Sequence, residues 1–393
     1  MRRRRRCAVA VKRGSIMKTR EIDPVVIGER QIGRGHEVYV IAEAGVNHNG
    51  SVERALKMCD AAVVAGADAV KFQVYRTDRL VSSAARRAKY QQANTGQAGP
   101  QHEMLRDLEL TPEDFTRLAG HCRRIGIEFL ASPFDSASLQ LLVDIGVRAI
   151  KIASPELTDL PLLRSAAAAG LPLIVSTGAA CFEEIEEAVR VIHDEGCTEL
   201  ILLHCVTVYP TPFELQNLSA IRTLGDRFGV VVGYSDHSLE VESGRLAVAV
   251  GASLLEKHFT LNRDDVGPDH RMSLEPDDLA AYVRVAREAG GGLEEIIAKD
   301  ERARSALGDG AKQPHILEED AREVSRKSLG ASVDIAEGTV IAREMLTTLR
   351  PATGIAPGRM DDVVGATARV DIVAGEILKR EMLRESTDRG RTS

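Results

Sequence analysis

A chain of 393 residues is longer than one ordinary domain and predicts two or three. Hydrophobic residues at 44% against 28% charged exclude wholesale disorder, while 4% aromatics, no Trp and a net charge of -7 exclude a protein that binds phosphate backbones or stacks bases. The six cysteines are dispersed with no CxxC pair, which argues against a structural zinc site or disulfide framework and fits a reducing cytoplasm, and no apolar run approaches the roughly 18 residues of a membrane span.

Residues 1–36 read as an N-terminal extension, partly disordered, with no strong element before Val38. Its Arg2 to Arg6 run is followed by too little apolar sequence for a secretory signal, and it reads as an extension ahead of a start at Met17 rather than as a nucleic-acid tail. From Val38 onward a short apolar run, a polar terminus and an amphipathic segment recur. The predicted strands are VYVIAE (38–43), AVKFQV (69–74), EFLAS (128–132), AIKIAS (149–154), PLIVST (172–177), LILLHCV (200–206), VVVGYS (230–235) and SLLEKH (253–258). Eight strands alternating with helices over about 250 residues predict an α/β fold, a (β/α)8 TIM barrel, over 37–295. A doubly wound open sheet is the alternative, but no GxGxxG opens the first helix.

The connection after the second strand is long, and its polar middle, KYQQANTGQAGPQHEM, predicts a loop over the barrel mouth. A linker is expected over 296–320, then a small β domain over 321–386 and a tail at 387–393. Within that domain ASVDIAEGTVIAREML (331–346) recurs as ARVDIVAGEILKREML (368–383), nine of sixteen positions being identical at an offset of 37. Two copies of one β unit related by a pseudo-twofold axis follow.

In a barrel, residues at the carboxyl ends of strands face the active site. Here those ends carry Glu43; Lys71 and Gln73; Ser132; Lys151 and Ser154, with Glu156 just beyond; Ser176; Tyr209; Asp236 and His237; and Glu256 and His258. Lys71 and Lys151 among hydroxyls suit a phosphate plus a carboxylate. His237 and His258 can supply two neutral nitrogens to a divalent ion and leave positions open for substrate oxygens. His204, inside LILLHCV, is either a third ligand or, as we favour, a core histidine satisfied by a backbone group. A Schiff-base aldolase using Lys151 is a competing reading.

The stretches AEAGVNHNGS (42–51), GADAVKFQ (66–73), ASPFD, IKIASPE (150–156), VSTG, LLHCV..YPTP, GYSDH and LEKHFT..RDDVGPDH resemble the sialic acid synthase family, from about His36 to Glu385. The last domain resembles the antifreeze-like SAF (β-clip) domain that follows the barrel in that family. The resemblance implies condensation of phosphoenolpyruvate with an N-acetylated hexosamine to a nine-carbon nonulosonate. It implies His237 and His258 as ligands of Mn2+ or Mg2+, and Lys71, Lys151, Ser132, Ser154 and Ser176 as the phosphoenolpyruvate pocket. Gln73, Asn94, Glu156, Tyr209 and Asp269 would lie near the amino sugar, with Glu43 close to the reacting carbons. It also implies a domain-swapped homodimer in which Arg350 of the small domain reaches the sugar N-acetyl group. Two positions depart from the family pattern: the motif reads RPATG, with Ala352 in place of the usual glycine, and Val324 stands where relatives can be aromatic. The YQQANTG segment and AEAGVNHNG look more like the neuraminate and legionaminate branch than the pseudaminate branch.

Overall fold

The computed structural model describes residues 22–289 and 292–384, the side chain of Lys299 excepted; the Arg2 to Arg6 run, Met17 and the 387–393 tail fall outside the described residues. The chain opens on a hairpin, β1 (Val25–Ile27) and β2 (Arg30–Ile32), joined by a two-residue turn with Gly28 at φ +62°. A left-handed glycine in the first turn position lets the connection match the strand twist. This corrects the expectation of no element before Val38. The signal was present: a β-branched run, a Gly-led pair, then another alternating run.

Eight parallel strands follow: β3 (Tyr39–Gly45), β4 (Ala69–Val74), β5 (Glu128–Pro133), β6 (Ile150–Ile152), β7 (Leu173–Ser176), β8 (Leu200–Cys205), β9 (Val231–Asp236) and β10 (Leu254–His258). Their order is β5-β4-β3-β10-β9-β8-β7-β6, and the outer members β5 and β6 pack side by side, so the sheet nearly closes as a TIM barrel. Side chains alternate between two apolar layers. Ile41, Leu130, Ile174, Ile201 and Leu254 fill the barrel interior together with Val25, Ile27 and Ile32 of the hairpin, which plugs one end. Val40, Val70, Phe72, Val175 and Leu202 face outward against Met58, Leu118, Leu163 and Ile192 of the surrounding helices.

Two connections differ from expectation. The predicted mouth loop is largely helical, with helices at Lys89–Thr95 and Gln101–Leu108. Met104, Leu105 and Leu108 share one face and pack on Tyr75, Leu80, Val81 and Phe134, while Gln101 Nε2 donates to Gln91 Oε1 at 3.1 Å. Burial and internal amide bonds overrode the polar composition. The predicted linker also begins as helices, Leu293–Lys299 and Arg302–Leu307, whose Ile296, Ile297, Ala303 and Ala306 join the barrel's outer layer.

The C-terminal unit pairs β11 (Ser328–Ala331) with β12 (Leu346–Leu349) and β13 (Thr367–Ala368) with β14 (Leu383–Arg384), all antiparallel. Its two copies meet as the repeat requires. Ile335 and Ile372, equivalent at the offset of 37, exchange both backbone hydrogen bonds at 2.8 Å, and Ala331 N to Glu376 O is mirrored by Ala368 N to Thr339 O. A pair of equivalent residues bonded reciprocally lies on a pseudo-twofold axis. The unit sits on its own barrel: Lys327 Nζ lies 2.9 Å from Asp159, and the Arg350 backbone bonds to Leu80 and Ser82.

Candidate active site

Strand polarity brings most predicted residues to one mouth. Glu43 lies where the β3–β4 register shifts between Glu43 and Gly45, a bulge that re-aims the strand end. Gly45 takes φ +52°, and a Cβ there would lie 3.3 Å from Glu43 Oε1, 3.4 Å from Gln73 Nε2 and 3.6 Å from Asp269 Oδ2. These three groups therefore ring one small space that only glycine leaves open.

Beside them runs a buried chain of alternating charge. Lys71 Nζ is 2.7 Å from Glu43 and 3.6 Å from Glu256, and it donates to Ser132 Oγ at 3.2 Å. Lys151 Nζ is 3.6 Å from the other oxygen of Glu256 and donates to Ser176 Oγ at 2.6 Å and to the Ile152 carbonyl at 3.1 Å. Ser235 Oγ holds Glu256 at 2.9 Å. Burial would raise the Glu256 carboxyl, but the Lys151 and Lys71 ammoniums overcome it and hold it at about 2. For Lys71 the Glu256 and Glu43 charges outweigh burial and raise its pKa, whereas burial dominates at Lys151 and lowers it. Glu43 is raised by burial, offset in part by Lys71. Asp269 is pushed up to about 7, first by burial and then by the charge of Glu43.

Ser154 Oγ accepts from Gly178 N at 2.9 Å, and a Cβ at Gly178 would stand 2.2 Å from Thr207 Oγ1 and 2.7 Å from Ser154 Oγ. Ser132, Ser154, Ser176 and the two lysines thus line one polar floor. It presents two cations, the buried carboxylates of Glu43 and Glu256 against them, and several short donors.

The His237 and His258 rings lie 5.5 Å apart, centre to centre. His237 Nδ1 donates to the Val206 carbonyl at 2.7 Å, which leaves Nε2 with its lone pair free, the arrangement usual for a metal-bound histidine. His258 Nδ1 is buried with no hydrogen-bond partner among the described residues. An orphaned nitrogen beside a second imidazole of fixed tautomer fits a divalent cation, although no group of three or more His, Cys, Asp or Glu among the described residues would cage one. Substrate or water oxygens would have to complete such a site. Burial disfavours the imidazolium of His237, yet Cys205, 3.7 Å from Nδ1, pushes its pKa up to about 9, so a proton competes with a cation there.

His204 points the other way: its Nε2 donates to the Gln216 carbonyl at 2.8 Å and its ring stacks on Tyr234, while its Nδ1 is buried without a hydrogen-bond partner among the described residues, so it is an outer-layer histidine held by one backbone group.

Tyr209 packs between His237 and Tyr90, with centroid distances of 4.3 and 4.7 Å. Asn94 Nδ2 donates to the Pro268 carbonyl at 2.6 Å, tying the Lys89–Thr95 helix to the turn that carries Asp269. Glu156 is completely buried, with Arg350 at 3.6 Å and Lys327 at 3.8 Å. The Arg350 guanidinium also lies 5.1 Å over the Phe134 ring. It belongs to the same chain as the barrel it covers. Three contributors escaped sequence reasoning. Tyr90 sat in a stretch taken for loop, Cys205 was hidden in an apolar strand, and Glu318 of the connecting segment accepts from Ala179 N at 2.9 Å and Thr207 N at 2.6 Å. Only tertiary contact reveals Glu318.

The pattern of the NeuB family matches residues 58–297, and that of the SAF domain residues 326–384. The chain belongs to the NeuB family. N,N'-diacetyllegionaminic acid synthase of Legionella pneumophila is 38% identical over 89% of this chain and 96% of its own length. A pseudaminic acid synthase of Campylobacter jejuni is 34% identical over 88% and 97%. The structure of the spore coat polysaccharide biosynthesis protein SpsE of Bacillus subtilis matches with a TM-score of 0.75 at 31% identity, over 92% of this chain and 99% of that one. In this NeuB-family chain the SAF domain closes the barrel mouth through Arg350, Lys327 and Thr348, the last donating to Asp159 at 2.8 Å.

Proposed function

We propose that this chain is a nonulosonate synthase, a transferase that forms a C–C bond between phosphoenolpyruvate and an N-acetylated hexosamine and releases phosphate by C–O cleavage. The acceptor is N-acetylmannosamine or a 2,4-diacetamido-trideoxy analogue, and the product is N-acetylneuraminate or legionaminate. The observation that carries the reading is the buried Lys71–Glu256–Lys151 chain over Ser132, Ser154 and Ser176, which offers two cations and short donors to a small polyanion beside a histidine pair. The 38% identical legionaminic acid synthase, against 34% for the pseudaminic acid synthase, supports the first branch, with pseudaminate as the alternative product.

In the proposed reaction C3 of phosphoenolpyruvate attacks the sugar aldehyde, water adds at the C2 cation and phosphate departs from C2. Lys71 and Lys151 hold phosphate and carboxylate, so the negative charge that gathers on the leaving group meets fixed cations in a dry site. Glu43, raised by burial and next to Lys71, orients the water and takes its proton. Gln73, Asn94, Glu156, Tyr209 and Asp269 bind the sugar, and Arg350 reaches its N-acetyl group. Mn2+, or Mg2+ in its place, would be held by His237 and His258 and when bound supplies Lewis-acid polarisation of the aldehyde. A cytoplasmic homodimer completes the proposal.

The test is phosphate release from phosphoenolpyruvate with N-acetylmannosamine and with the diacetamido trideoxy sugar, with and without chelator. We expect release with one sugar well above the other and its loss on chelation; release with neither overturns the reading. One observation favours a second reading: burial lowers the Lys151 pKa, as an amine that forms a Schiff base requires. Borohydride added with substrate would trap an adduct on Lys151 only in that case.

A further inference from the structure

Next to the histidine pair, on the opposite face of the same two strands, lies an ion pair for which the proposed chemistry has no use. In the β9–β10 register Glu256 stands opposite Ser235 and Lys257 opposite Asp236. Successive side chains alternate faces. Glu256 and Ser235 therefore meet inside the barrel, and Lys257 meets Asp236 outside, at 2.8 Å with both side chains at 0% exposure. This outer layer is otherwise packed with apolar side chains such as Leu255, Leu246 and Leu279, and Lys257 Nζ lies 5.1 Å over the Tyr282 ring. Taking two charges out of water there is costly, and such pairs often add nothing to stability.

The contacts of the pair show what it restrains. Lys257 Nζ also donates to the Ser238 carbonyl at 2.7 Å and lies 3.3 Å from Ser238 Oγ, while Asp236 Oδ1 accepts from Ser238 N at 2.8 Å. Both charged groups thus grip one residue, Ser238, from the two sides of its peptide. Ser238 follows His237 directly, and Lys257 precedes His258 directly. Polar contacts continue from Ser238 Oγ to Ser243 Oγ at 3.0 Å, and from Gln216 Nε2 to Ser243 at 2.8 Å, ending at the Gln216 carbonyl that accepts from His204.

We infer that Asp236 and Lys257 are positioning residues: they lock the turn after β9 onto β10 and so fix the separation of His237 and His258. A two-ligand site has no third protein group to hold its geometry, so the spacing of the imidazoles must come from the backbone that carries them. A small loosening at that point spreads the ligands and weakens cation binding. The inference rests on the reading of His237 and His258 as metal ligands.

Calorimetric titration of Mn2+ into the chelator-treated full chain, without substrate, tests it together with thermal melting. Asp236→Leu/Lys257→Met should melt at or above the wild-type temperature and bind Mn2+ at least tenfold more weakly. Asp236→Asn/Lys257→Gln keeps volume and neutral hydrogen bonds to Ser238, which hold the turn less firmly than charged ones, and its Mn2+ affinity should fall at least threefold. Wild-type Mn2+ affinity in the folded apolar pair overturns the inference. If that pair does not fold, wild-type affinity in the amide pair overturns it instead. A wild-type chain that takes up no Mn2+ would refute the metal reading itself, a result distinct from variants that bind as the wild type does.

Discussion

His258 and His204 are chemically identical side chains on strands two apart in the barrel, β10 and β8, and burial direction separates them. Each leaves its Nδ1 without a partner among the described residues, but His258 faces the mouth beside the His237 ring, whereas His204 faces the helices, bonded to the Gln216 carbonyl and stacked on Tyr234. His258→Ala should abolish phosphate release and reduce Mn2+ uptake while leaving circular dichroism unchanged; full activity in that variant would sink the ligand reading. For His204 the prediction is a pH effect. Burial depresses its pKa to about 3, against about 6.5 in the unfolded chain, so the folded state holds fewer protons between those values. The stability it contributes is complete above about pH 6.5 and is lost as pH falls. The margin of wild type over His204→Gln should therefore shrink by about 1 kcal/mol between pH 6.5 and 5.5 in urea unfolding. An unchanged margin would mean that the ring titrates in the fold as it does in the unfolded chain.

At the scale of elements, all eight barrel strands were legible because each is a short apolar run ending in polar residues, and the period decides which face looks inward. The β1–β2 hairpin was overlooked for want of length, yet Ile27 is 1% exposed and Ile32 is fully buried in the barrel end. Ile27→Ala should cost about 2–5 kcal/mol, measured by denaturant unfolding, because neighbours packed on it from the strands cannot collapse into the gap. The turn after β7 is equally constrained. A Cβ on Gly178 would strike Thr207 Oγ1, Ser154 Oγ and Cys205 Sγ, so Gly178→Ala should raise the phosphoenolpyruvate KM at least tenfold and cost about 1–3 kcal/mol of stability. Helices in the Lys89–Thr95 and Gln101–Leu108 stretch were hidden for another reason: their polar residues bond to one another and to the barrel, and no local pattern records that.

For the whole molecule, the question is which barrel each SAF domain completes. Arg350 reaches Glu156 of its own chain, and a swapped dimer would join the same two surfaces across chains. Arg350→Ala should raise the sugar KM far more than the phosphoenolpyruvate KM, since the guanidinium sits by Glu156 and Phe134, away from the lysine floor. Mixing that variant with His258→Ala after mild dissociation separates the arrangements. In a swapped dimer one of the two sites of each heterodimer regains both groups, and random exchange restores about a quarter of wild-type activity. Without a swap, the mixture shows no more activity, at sugar well below the raised KM, than the two variants assayed separately.

Taken alone, the order of residues determined the barrel, the repeat domain and the set of polar side chains at the strand ends. Strand alternation and the shared direction of parallel strands are local rules that a sequence carries. Tertiary structure alone decided that Glu256 bridges two lysines, that Glu318 seals the rim from the connecting segment, and that Lys257 and Asp236 meet behind the histidines. Each of those contacts depends on register between strands or on packing between distant segments, and neither composition nor periodicity specifies which charge meets which.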